Sequence, residues 1–215
     1  MKGRALVLIA LSSCLSHASI FSTFDSGNEG WSAVDVNFPS LAVVEAHAAG
    51  WSSGHLSETE ANFSHSGLFV LAAPAAYLGD LSAYYGAVAS FKLSDTHADP
   101  TVYPSLLLRG NGIALGYVGT QTPSPAGTDF TVPLSETGWV TLGGVAATPA
   151  QFQSVLSNVD VFAINADWTL AGTDVVTLDN VAVLSPVPEP ATWAVLGLGV
   201  AGVMRRRKGQ RPISK

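Results

Sequence analysis

The chain has 215 residues, 47% of them hydrophobic and only 12% charged, with one cysteine and a formal net charge of −6. A lone cysteine excludes a disulfide-stapled scaffold, and an acidic surface repels phosphate backbones, which excludes a nucleic-acid binder. The charge is also unevenly spread. Fifteen of the sixteen acids but only two bases, Lys92 and Arg109, lie between residues 19 and 186, a balance of −13. Such a surplus suits plain solubility and equally suits an extracellular protein in contact with divalent cations.

In chain order, the first feature is a basic pair, Lys2 and Arg4, followed by an apolar run from Ala5 to Leu11 and then small and polar residues ending Ser16-His17-Ala18. A basic start, a short apolar stretch and small residues before the cut are what a signal peptidase reads, so residues 1–18 are predicted to be a signal peptide. The apolar stretch is too short for a stable membrane span. Leu11-Ser12-Ser13-Cys14 offers an alternative reading as a lipobox, in which Cys14 would be lipidated.

Residues 19–185 follow as one predicted domain, long enough to fold on its own core. Short apolar runs recur there between clusters of Gly, Pro, Ser, Asn and Asp: Gly67–Ala72, Ala87–Leu93, Ser105–Leu108, Ile113–Val118, Val161–Ala166 and Val175–Leu184. This punctuation predicts an all-β sandwich of antiparallel strands. One short helix is expected at about 148–158. Thr148 is a good N-cap, Pro149 suits the first helical position, and Phe152, Val155 and Leu156 share a face.

Several motifs in this domain resemble the laminin B (laminin IV) type domain. Phe24-Asp25-Ser26 with Glu29-Gly30-Trp31 looks like its opening strand. Phe69, Ala73-Pro74, Tyr77-Leu78-Gly79-Asp80, Tyr84-Tyr85-Gly86 and Ser90-Phe91-Lys92-Leu93 resemble its centre, with Tyr77 in a Phe position and Ala87 replacing a Gly. Leu106-Leu107-Leu108-Arg109-Gly110, Gly138-Trp139, Thr148 to Leu156 and Leu178-Asp179-Asn180-Val181 follow in the family's order. The resemblance implies a jelly-roll-like β-sandwich, similar to carbohydrate-binding modules, with no catalytic activity.

The chemistry visible in the sequence is sparse. Gly50-Trp51-Ser52-Ser53-Gly54 is a literal G-x-S-x-G, but a nucleophile elbow needs a strand before it and a helix after it, so a surface loop is expected. His47, His55, His65 and His97 show no metal-ligand spacing. Calcium, which takes six to eight oxygens, is the one metal the pattern would suit. In jelly-roll modules such a site lies where first and last strands meet, and Asp25 and Asp179 are the candidate ligands, with Glu29 a further one. For sugar binding the pool of aromatics is Trp31, Trp51, Tyr84, Tyr85, Tyr103 and Trp168. Trp51, flanked by Gly and Ser, is the best exposed candidate, while Trp31, Trp139 and Phe91 are expected in the core.

The last segment, 186–215, has three parts: Pro188-Glu189-Pro190, an uncharged run from Ala191 to Met204, and Arg205-Arg206-Arg207-Lys208. The run is marginal in length for a span, but the basic block would hold its end on the cytoplasmic side. A transmembrane helix over about 191–204 is expected, with Gly197, Gly199, Ala201 and Gly202 permitting close helix packing. The order of these parts resembles the PEP-CTERM sorting signal of Gram-negative bacteria. That resemblance implies recognition by an exosortase-type membrane enzyme, cleavage near Pro188-Glu189-Pro190, and a setting of exopolysaccharide or biofilm production. The resulting expectation is an exported, non-catalytic surface or matrix protein that binds carbohydrate or a partner protein. A secreted hydrolase with a dispersed active site and a purely structural coat component are the alternatives.

Overall fold

The computed structural model describes residues 18–64, 67–99, 103–169 and 173–185. The predicted signal peptide apart from its last residue, Ala18, its Cys14 alternative, His65, the sorting residues Pro188, Glu189, Pro190, Arg205, Arg206 and Arg207, and the expected helix over 191–204 therefore lie outside the described residues. Among the described residues no helix is long and apolar enough to cross a membrane.

Two antiparallel sheets form a jelly-roll-like sandwich. The first holds β1 (Ile20–Ser22), β4 (Trp51–Ser52), β5 (His55–Thr59), β7 (Val88–Asp95), β10 (Thr128–Pro133) and β13 (Val175–Leu184). Its order is β10-β7-β13-β5-β4, with β1 also paired to β13. The second holds β2 (Ser32–Asn37), β3 (Ala42–Ala48), β6 (Leu68–Ala72), β8 (Leu106–Gly110), β9 (Ile113–Tyr117), β11 (Trp139–Thr141) and β12 (Val159–Asn165), in the order β11-β9-β8-β12-β6-β2-β3. The predicted fold class is what the chain adopts.

β13 organises the first sheet. It pairs with β7 along almost its whole length, with β5 through Val175–Leu178, and with β1 through Val181–Val183. A register shift between Asp179 and Ala182 separates the two halves. Asn180 sits there at φ +52, the left-handed conformation a short polar side chain tolerates at a bulge. The first and last strands thus meet, with Ser22 opposite Val181.

Strand patterns follow the number of faces buried. β7 alternates, with Ala89, Phe91 and Leu93 inward and Lys92 exposed, as expected for a sheet with one wet face. β6 is a continuous apolar run, and β8 opens with one at Leu106, Leu107 and Leu108, because both faces are covered there. Phe69, Leu71, Leu106 and Leu108 join the core between the sheets. Val70 and Leu107 join a second cluster with Val34, Val36, Leu41 and Ala163.

One predicted element differs. Phe24-Asp25-Ser26 and Glu29-Gly30-Trp31 do not form an opening strand. They make the turn between β1 and β2, with Phe24 at φ +57 and Glu29 at φ +51, and the Glu29 carboxylate accepts the Phe24 N–H at 2.6 Å. Pairing stops where the backbone enters the left-handed region. Trp31, Trp139 and Phe91 are buried, as expected.

The helix α1 runs Pro149–Leu156 and buries Phe152, Val155 and Leu156. Thr148 and Gln151 form a capping box that satisfies two otherwise orphaned N–H groups. The helix C-terminus lies directly on β8: a Cβ at Gly110 would come within 2.4 Å of the Val155 carbonyl and 2.6 Å of the Asn158 carbonyl. Because both neighbours are backbone, Gly110→Ala is expected to cost about 1–3 kcal/mol through forced separation of helix and sheet. Urea unfolding of the variant against the parent checks this, and an unchanged midpoint would contradict it.

Candidate functional site

The outer face of the first sheet is polar. Asp179 faces Lys92, which in turn faces Asp129 on β10. Leu178 faces Leu56, so His55 and Asp179 are the next positions along, and Ser52 faces His55. A row of groups able to hydrogen-bond therefore crosses five strands. Over it lies a cleft of about 300 Å³ lined by His55, Lys92, Ser94, Thr177 and Asp179, with Pro125–Gly127 as one wall. Ser94 and Thr177 hydroxyls meet at 2.6 Å. The Lys92 stem passes so close to Gly127 that a Cβ there would sit 2.6 Å from its Cε.

Asp25 and Asp179 lie on neighbouring segments, since β1 pairs with β13. Each carboxylate is engaged locally. Asp25 accepts the Thr23 hydroxyl at 2.8 Å, and Asp179 accepts the Asn180 N–H at 2.7 Å and its side-chain amide at 2.8 Å, bracing the bulge. Among the described residues no group of three or more His, Cys, Asp or Glu side chains is arranged to hold a metal ion.

Trp51 sits on a tight hairpin at the sheet edge. Ser53 (φ +51) and Gly54 (φ +86) make a two-residue turn with both φ positive, the geometry that matches strand twist. The G-x-S-x-G serine, Ser52, is thus in an antiparallel hairpin rather than a strand-to-helix elbow. The Trp51 indole N–H donates to the Phe24 carbonyl at 2.6 Å, which fixes the ring while leaving the residue 45% exposed. Trp31, Trp139 and Trp168 are fully or nearly fully buried. Tyr84 is also buried, and Tyr85 and Tyr103 are half-buried.

Glu58 holds this hairpin from beneath. Its Oε2 accepts the Gly50 N–H at 3.1 Å and lies 3.2 Å from His47 Nε2. Its Oε1 accepts the Thr59 N–H at 3.1 Å and the Asn62 amide. Burial pushes the Glu58 carboxyl up, but the bonds from Gly50, Thr59, Asn62 and His47 together hold it below its ordinary value. His47 is therefore a partner of a buried carboxylate rather than a stray surface imidazole.

A third feature lies at the end of the sandwich where β7 finishes and β13 begins. Asp95 and Asp174 are both fully buried. Asp95 Oδ1 accepts the His97 N–H at 2.8 Å. Asp174 Oδ2 accepts the N–H groups of Trp168 at 3.0 Å and Thr169 at 3.4 Å. Burial, then the facing Asp95 carboxyl, raises Asp174 to about 7. Burial and the charges of Glu60, Asp174 and Asp35 raise Asp167 to about 7. The sequence reading missed these acids, although a signal exists. Asp95 continues the inward phase of Phe91 and Leu93, Asp174 that of Val176 and Leu178, and Glu58 that of Leu56.

The profile of the Laminin B (Domain IV) family matches residues 70–194, more than half of the chain. The profile of the PEP-CTERM protein-sorting motif matches residues 186–208. No curated protein sequence matches the chain. Among solved structures, the L4b domain of human laminin alpha-2 is similar at a TM-score of 0.62 and 13% identity, covering 78% of this chain and 98% of that domain. A family 11 carbohydrate-binding module from Clostridium thermocellum aligns at a TM-score of 0.35 and 16% identity, over 84% of this chain and 94% of that one; a likeness that loose carries no argument. The matched profile, on a fold like that of the laminin domain, decides the family: this chain belongs to the Laminin B (Domain IV) family and carries a PEP-CTERM protein-sorting motif after its β-sandwich.

Proposed function

We propose that this chain is an exported, non-catalytic β-sandwich protein, delivered by its sorting tail to the surface or extracellular matrix of a Gram-negative bacterium, where it binds carbohydrate. The observation that supports this most is the sorting motif over 186–208 at the C-terminal end of a Laminin B match over 70–194. In this reading residues 1–18 are removed by signal peptidase. The 191–204 helix holds the precursor in the inner membrane, Arg205, Arg206 and Arg207 fix its orientation, and an exosortase-type enzyme cuts near Pro188-Glu189-Pro190. The mass of the protein recovered from cells tests this: loss of both ends is expected, and a full-length mass would sink it.

For the ligand, Trp51 is the proposed contact. A flat ring stacks on a pyranose face while polar neighbours bond its hydroxyls. The ring is exposed on a hairpin whose next strand begins with His55 of the polar cleft. On an array of bacterial exopolysaccharides, Trp51→Ala is expected to weaken binding about tenfold or more, which corresponds to ~1.4 kcal/mol or more for truncating an anchoring tryptophan. Equal signals from parent and variant would remove Trp51 from the site, and no glycan signal from either would favour a protein partner or a structural coat role.

A further inference from the structure

The cleft on the outer face of the first sheet has a fixed wall and an unpaired cation. Its wall is the turn at residues 124–127. The Ser124 carbonyl accepts the Gly127 N–H at 2.9 Å and the Asp95 N–H at 3.3 Å, and Ser124 forms a parallel bridge to Ser94 of β7. The turn is therefore fastened to the sheet, and the cleft is formed before anything enters it.

Lys92 and Arg109 are the only Lys or Arg side chains between residues 19 and 186. Arg109 is engaged by Asp160 at 2.7 Å and by the Ser40 and Leu41 carbonyls. Lys92 has a carboxylate opposite it on each neighbouring strand, Asp129 on β10 and Asp179 on β13. Opposite charges that face each other across strands attract, yet among the described residues Lys92 forms an ion pair with neither. Its stem lies along Gly127 instead, where a Cβ would meet Cε at 2.6 Å and Cγ at 3.5 Å. An ammonium on a stem already held in place loses little side-chain entropy when it takes a ligand.

We propose that this cleft binds a short stretch of an uncharged polysaccharide, with the Lys92 ammonium donating to sugar hydroxyls and Asp179 accepting from them. Asp179 takes two bonds from Asn180, about half of what a carboxylate can accept. The Ser94 and Thr177 hydroxyls and the His55 ring add groups that donate or accept, while Pro125 and Ala126 present an apolar wall. A sugar ring has the same two characters, a C–H face and a rim of hydroxyls. An anionic polymer fits worse: Asp129 and Asp179 flank the one ammonium, and fifteen acids stand against two bases between residues 19 and 186. The inference rests on the carbohydrate reading above but not on Trp51. Trp51 faces Leu56 and Ser52 faces His55, so alternation puts the indole on the other face of the hairpin from the cleft.

The test uses the full chain in a detergent without a sugar headgroup. Isothermal titration compares neutral polymers (dextran, a galactomannan, a levan) with acidic ones (alginate, polygalacturonate). A neutral polymer is expected to bind, with a Kd that changes less than about twofold between low and high salt, because no ion pair with the ligand forms. Lys92→Met keeps the stem and removes the ammonium. Lys92 is exposed, so this variant should melt with the parent while binding that polymer about tenfold more weakly. The same fold-loss should appear in a Trp51→Ala background, since separate contacts add. A neutral polymer bound equally by parent and Lys92→Met would overturn the cleft and leave the carbohydrate reading standing. Binding of acidic polymers alone, lost at high salt, would overturn the ligand class. No binding of any polymer by the parent would overturn the cleft and the carbohydrate reading together.

Discussion

Replacing Trp31 with alanine is expected to destabilise the protein by about 3–5 kcal/mol, the usual cost of truncating a buried large aromatic. Trp31 is fully buried. Its ring meets Tyr77 edge-on at 5.4 Å and Phe24 at 6.0 Å, and its indole N–H donates to the Ser22 hydroxyl at 3.0 Å. Three losses therefore coincide: apolar burial, two edge-to-face contacts and a buried hydrogen bond. The effect should reach past the residue itself, because Ser22 lies in β1, whose one strand partner among the described residues is β13. Trp31→Phe keeps an aromatic body but not the donor, so its loss should be clearly smaller. Urea unfolding followed by circular dichroism measures both. A Trp31→Ala midpoint close to the parent's would show that the β1–β2 turn folds without this anchor.

Glu58→Gln is the second large effect, expected at about 2–3 kcal/mol near neutral pH. The replacement puts an amide NH₂ where N–H groups already point, and hydrogen bonds to a charged acceptor are worth more than neutral ones. The pH dependence has a definite sign. Glu58 is held below its ordinary value of 4.5 in the folded protein. Its contribution is therefore fully present above that value and is lost as pH falls through the lower folded value. Parent and variant should differ most at pH 6–8 and converge in acid, well below pH 4. A gap that persists at low pH would mean that the substituted amide disturbs packing rather than charge. Since Glu58 bonds the Gly50 N–H beside Trp51, the variant should also loosen the hairpin and weaken any ligand contact made by that ring.

Much of this molecule was legible in its sequence. The runs at 67–72, 87–93, 105–108, 113–118, 161–166 and 175–184 all fall on strands, because burial on one or both faces writes a period or a run that can be read locally. The helix was legible from Thr148, Pro149 and the Phe152, Val155, Leu156 face, since capping chemistry is local too. The exposed setting of Trp51 followed from its Gly and Ser neighbours. Harder to read were β2 and β3. β3 is a largely exposed edge strand, so no buried face imprints a pattern on it. The Phe24–Trp31 stretch was misread as a strand because its aromatics are core residues, yet the backbone there turns through positive φ.

By itself, then, the sequence determined the class of fold, the helix, the family resemblance and the sorting motif, all properties of short segments. Only the tertiary structure decided which acids are buried and which charges face each other. Asp95 and Asp174 are 79 positions apart in the numbering, and they meet because β7 and β13 pair antiparallel with Val176 opposite Asp95. Desolvation and the proximity of like charges depend on what surrounds a carboxyl in space. No local pattern encodes that, so the end of the sandwich richest in unbalanced charge was silent until the strands were laid side by side.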